Sequence, residues 1–133
     1  MLVGVLGVGT ATAAPVYTES FDRTVHTLGY TKGSVSFYNQ SVGIQGSVKS
    51  NTKDCMQVRF NFYKNYPASE KVAAQQTRTA CGRGTGTSTD FNFTVDPKVQ
   101  VSLVQIDLYD NTSGFWLEAD LHNVWNCAVV PIC

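Results

Sequence analysis

Charge is scarce in this chain. Only 15% of its 133 residues are Asp, Glu, Lys or Arg, against about a quarter in ordinary soluble domains. The ten bases cancel the ten acids, and 43% of the chain is hydrophobic. Disorder combines high net charge with little hydrophobicity, so a disordered chain is excluded. A nucleic-acid partner is disfavoured by the same balance, because phosphate binding wants an excess of Lys and Arg. No apolar run reaches the length of about 20 residues that a membrane-spanning helix needs. There is no CxxC pair, and His26 and His122 lie far from any zinc-finger spacing. No GxSxG nucleophile elbow occurs. Gly82-Arg-Gly-Thr-Gly-Thr87 is glycine-rich, but no GK[ST] follows and the next segment reads as a strand. A phosphate cradle needs a helix N-terminus there, so no nucleotide cofactor is implied, and no other motif implies a cofactor.

What is present points outside the cell. Leu2–Ala14 (LVGVLGVGTATAA) is uncharged and ends in small residues, with Ala11-Thr-Ala13 in the A-x-A form of a signal-peptidase site. The sequence therefore predicts a signal peptide over 1–13, lacking the usual preceding Lys or Arg, and a single domain over 14–133. Four cysteines, Cys55, Cys81, Cys127 and Cys133, fit two disulfides of an exported chain. Three connectivities are open, and nearest-neighbour pairing favours Cys55–Cys81 and Cys127–Cys133. In the chain-entropy description these close loops of about 26 and about 7 residues, worth about 3.5 and about 2.3 kcal/mol.

Past the leader, period-two alternation dominates. Val35 and Phe37 share one face of Ser34–Asn39; Val42, Ile44 and Val48 share one face of Val42–Ser50. Cys55–Lys64 sends Met56, Val58, Phe60 and Phe62 one way and Gln57, Arg59, Asn61 and Tyr63 the other. Further strands are predicted over Val72–Cys81, Asp90–Val95, Val99–Tyr109 and Phe115–Cys127. A bulge near Leu103-Val104 reconciles the parity of the sixth. In the last, Phe115, Leu117, Ala119, Leu121 and Trp125 are expected inward. Gly82–Thr89 reads as a hairpin loop, and Ala14–Thr31 as either an edge strand or a loose arm. About seven turn-separated strands without a confident helix predict an all-β fold, an antiparallel β-sandwich, with a small β-barrel as the alternative.

Three functional readings follow. A protein-interaction module, including an inhibitor of an extracellular enzyme, would use Arg83 or the Asp110–Gly114 turn. A carbohydrate-binding module would use the aromatics on outward faces, Tyr38, Tyr63 and Trp116, if they shared a plane. A small hydrolase, metal-dependent or acid–base, would use Glu118, Asp120 and His122, which fall at i, i+2 and i+4 on the wet face of the last strand. Same-face neighbours on a strand lie about 7 Å apart, so such a centre needs help from an adjacent strand. A solvated strand surface explains the trio more simply. The expectation is a secreted, non-enzymatic binding domain whose partner is an extracellular protein or glycan.

The leader ending ATAAP, the pair SVSFYNQSVGIQGSVKS, the strand CMQVRFNFY and the Cys-Gly-rich turn together resemble small secreted proteins of high-GC Gram-positive bacteria. The likeness spans roughly Ser34 to Cys127. It implies a compact extracellular β domain and carries no catalytic residue across.

Overall fold

A computed structural model describes residues 14–64, 72–82, 87–97, 100–112, 114–130 and 133. The predicted leader and Arg83 lie outside the described residues. The described residues form eight strands: β1 (Tyr17–Val25), β2 (Gly29–Phe37), β3 (Val42–Ser50), β4 (Cys55–Lys64), β5 (Ala74–Cys81), β6 (Thr87–Val95), β7 (Val101–Thr112) and β8 (Phe115–Trp125). They form two antiparallel four-stranded sheets, in the orders β1-β2-β3-β6 and β5-β4-β7-β8, and neither closes into a barrel. The sandwich is stapled by the two disulfides expected from spacing, Cys55–Cys81 and Cys127–Cys133. Such bonds are consistent with an extracellular location.

The core lies between the sheets. Phe21, Val35, Phe37, Ile44, Val48 and Phe91 come from the first sheet; Met56, Val58, Phe60, Phe62, Val104, Ile106 and Leu108 come from the second. Phe60 is the centre of an aromatic group, with ring centroids 5.9, 5.5 and 5.6 Å from Phe21, Phe91 and Phe93. Those edge-on contacts are the geometry that aromatic quadrupoles favour. Facing Phe60 in the first sheet is a row that reads Phe21, Gly33, Gly46, Phe91 across its four strands. The two glycines bring no side chain to that row, and the Phe60 ring is held between Phe21 and Phe91.

Each open side of the sandwich is closed by an arginine. At the β1/β8 side, Arg23 makes two hydrogen bonds to the Asp120 carboxylate, at 2.6 and 2.9 Å. At the β6/β5 side, the Arg78 guanidinium lies 4.4 Å from the Phe93 ring centroid, and the Thr89 hydroxyl donates to the Thr79 carbonyl at 2.8 Å.

Several expectations need correction. Of the two alternatives for Ala14–Thr31, the edge strand holds and the loose arm does not: β1 is the edge of its sheet, longer than expected, and forms a full antiparallel ladder with β2 through a turn in which Thr27 has φ 70°. Gly82–Thr89 does not join a hairpin, because β5 pairs with β4 and β6 pairs with β3. The β7 bulge expected near Leu103-Val104 falls at the neighbouring Ser102, opposite the Tyr63–Lys64 step. Asp110, expected in an exposed turn, is buried within β7, which runs on to Thr112 before the turn containing Gly114 at φ 83°.

The largest correction concerns β8. Leu108 pairs with Asp120 while Tyr109 pairs with Glu118, so Ala119 is a bulge. An extra residue reverses the alternation beyond it. Leu121 and Trp125 therefore stand on the outer face opposite Asp107 and Leu103. Leu117 and Phe115 regain inner parity only at an edge where little covers them, and are 58% and 72% exposed. Val124 is the β8 side chain that reaches the core.

Candidate functional site

The bulge also divides the trio proposed for hydrolysis. Glu118 turns to the outer face opposite Tyr109, while Asp120 and His122 turn inward opposite Leu108 and Ile106. The three do not share a face. No group of three or more His, Cys, Asp or Glu among the described residues is placed to hold a metal ion. Instead Asp120 serves Arg23, whose hydrogen bonds hold its carboxyl below the usual range. His122 is pushed below its ordinary value, first by burial and then by the Arg23 charge, against the opposing pull of Glu19 and Asp120.

The sign of that shift fixes a pH dependence. A histidine that resists protonation when folded stabilises the fold fully above its unfolded value, and the benefit is lost as pH falls through the folded one. Stability is therefore expected to decline as pH drops below about 6.5, and Asp120 adds a further loss below about 3.8 as its carboxylate is protonated. Urea midpoints between pH 7 and pH 5 should show this slope, and His122→Gln should flatten it; an unchanged slope in the variant would contradict the assignment. Asp120→Asn at pH 7 should cost about 0.5–1 kcal/mol, a modest value because the pair is partly solvated.

The outward aromatics do not form one platform. Tyr38 follows β2 and lies against Gly43, whose Cβ position is 3.4 Å from its ring, on the open face of the first sheet. Tyr63 and Trp116 lie on the open face of the second sheet but at opposite ends, opposite Leu103 and Asn111. That separates them by about 27 Å at strand rise. Tyr63 is half-buried and donates to Gln105 at 3.4 Å; Trp116 is 45% exposed. Between them runs a polar network that the sequence reading did not anticipate. Asp107 is buried beneath Arg59 and Tyr109 and accepts from Arg59 at 3.0 Å and Asn61 at 3.1 Å. Burial pushes its carboxyl up, and the Arg59 charge only partly offsets this.

A concave site among the described residues lies elsewhere. A trough of about 830 Å³ crosses the open face of the first sheet, lined by three consecutive residues from each of its four strands. Its floor is the row Phe21, Gly33, Gly46, Phe91, with both phenyl rings turned into the core. One wall is Ser20, Ser34, Gln45 and Asn92; the other is Asp22, Lys32, Ser47 and Asp90. Every wall side chain is polar. A Cβ on Gly33 would meet the Gln45 carbonyl oxygen at 2.0 Å, and one on Gly46 would meet that of Lys32 at 2.1 Å. Both glycines share the inward parity of Phe21 and Phe91, so no side chain of this row rises into the trough and its floor is backbone.

Nothing in the sequence reading selected this trough. A signal was present: Gly33-Ser-Val35 and Gly46-Ser-Val48 repeat the same tripeptide, and antiparallel pairing sets the two glycines opposite each other. Compared with family models, curated proteins and solved structures, the chain matches none of them.

Proposed function

We propose that this is an exported, non-enzymatic binding domain that holds a glycan in the trough across the first sheet. The supporting observation is the lining itself. A sugar chain offers hydroxyls that both donate and accept. The walls supply acceptors at Asp22 and Asp90, a donor at Lys32, and groups of both kinds at Ser20, Ser34, Gln45, Ser47 and Asn92. A peptide would want apolar pockets for its side chains, and the walls provide none. The acids whose protonation the fold perturbs, Asp107 and Asp120, face Arg59 and Arg23 outside the trough. Those two carboxylates are therefore employed in ion pairs outside the trough.

Export is supported by the A-x-A leader and the two disulfides. Filling the trough tests the binding role. Ser34→Trp should abolish retention on a glycan array on which the unmodified chain gives a signal, with the urea midpoint nearly unchanged. Retained binding by a folded Ser34→Trp protein would overturn the reading.

A second reading has its own observation. Phe115, Trp116, Leu117 and Leu121 stand exposed on β8, an edge strand. Apolar residues on an unpaired edge suit contact with another protein. Loss of a protein partner on Trp116→Ser with Leu117→Ser, glycan binding being unaffected, would assign that role to β8.

A further inference from the structure

The shape and charge of the trough define the form of chain that fits it. Its lining begins on β1 and ends on β6, and these are the two outermost strands of the sheet. Among the described residues no strand stands beyond either mouth. The mouth residues Ser20 and Asp22 on one side, and Asp90 and Asn92 on the other, are all exposed. At about 4.8 Å between neighbouring strands, the passage is about 14 Å long. That is short compared with a polysaccharide, and a passage open at both ends has no wall to recognise a chain terminus.

The charges alternate along the same path. Asp22 and Asp90 occupy the two mouths, and neither is in an ion pair with another described residue. Between them the lining carries one base, Lys32. Lys32 Nζ lies 5.1 Å from the Tyr30 ring centroid; Lys49, whose Nζ lies 5.9 Å from the same ring, stands outside the trough's lining. A polyanion would meet a carboxylate at either entrance, and a polycation would meet Lys32 in the middle. A chain uniformly charged with either sign is repelled somewhere along the passage.

We propose that the trough takes an interior stretch of a linear, uncharged glycan, lying across the strands, with both ends of the chain running out past β1 and β6. This rests on the glycan reading above and adds the mode and the charge class. The test uses the full chain and ladders of two to six sugars from β-1,4-linked glucose, mannose, xylose and N-acetylglucosamine. Binding is measured by calorimetry in low salt. In at least one ladder, affinity should climb with each added unit and then level off once the passage is spanned. Blocking the reducing end as the methyl glycoside should change nothing. An oligouronate of the same length should bind at least about tenfold more weakly, a difference of about 1.4 kcal/mol. Gln45→Ala and Asn92→Ala, both at exposed positions, should each weaken the plateau value without shifting the urea midpoint.

The outcomes separate the two claims. If a disaccharide binds as tightly as the hexasaccharide, or a free reducing end is required, and Asn92→Ala still weakens binding, the trough is a glycan site and the interior mode is wrong. An oligouronate bound as tightly as the neutral chain would overturn the charge assignment alone. If no ladder binds, both the interior mode and the glycan reading fall.

Discussion

Phe60→Ala is expected to destabilise the domain by about 3–5 kcal/mol, the range for emptying a buried aromatic site. The ring is fully buried and meets three other phenyl rings, from β1 and β6 in the opposing sheet. Its neighbours cannot easily collapse into the vacancy. Across from it stand Gly33 and Gly46, which have no side chains to move, and whose backbones are locked against each other by pairing. Domains of this size are stable by about 5–15 kcal/mol, so the loss would be a large share of the total. Urea unfolding followed by tryptophan fluorescence measures it. A loss below about 1.5 kcal/mol would show that Phe60 is not the keystone of the two-sheet contact. The same substitution should loosen the glycine floor from beneath, so weaker ligand binding in the folded Phe60→Ala protein is expected as well.

Removing the first disulfide should cost nearly as much. Cys55→Ser combined with Cys81→Ser releases a 26-residue separation in sequence and should lower stability by about 3.5 kcal/mol. The effect has a location. β5 is an edge strand whose sole partner in its sheet is β4, and the bridge joins directly opposed residues at one end of that ladder. Hydrogen exchange should therefore accelerate first in β5, whereas the β4–β7 ladder in the sheet interior should keep its protection. A double variant with an unaltered urea midpoint and unchanged β5 exchange would contradict this. Losing Cys127–Cys133, which spans 6 residues of sequence, should cost less, about 2.3 kcal/mol. Asn126 holds that tail independently, through hydrogen bonds to Val101 and Ser102.

The sandwich was legible because alternation is a local property. Met56, Val58, Phe60 and Phe62 announce an inner face with no knowledge of their partners, and all four are fully buried. The disulfides were legible for a similar reason, since proximity in sequence matched proximity in space. β1 was not. Its inner set, Tyr17, Glu19, Phe21, Arg23 and Val25, carries two charges. Those charges make sense only once Asp120 and His122 face them across the open side of the sandwich. That meeting depends on the Ala119 bulge, which no composition rule reveals, and without it Asp120 and His122 read as solvent-facing. The trough was hidden for a further reason. Its walls are rows across four strands, so Ser20, Ser34, Gln45 and Asn92 become neighbours only when the register of three ladders is known.

The most direct measurement is amide chemical-shift mapping of the 15N-labelled chain, titrated with hexasaccharides of β-1,4-linked glucose, mannose, xylose and N-acetylglucosamine. Binding in the trough should move the amides of 20–22, 32–34, 45–47 and 90–92 together, with one dissociation constant. Shifts concentrated in 115–121, or no shifts with any of the four sugars, would contradict a glycan site on this face.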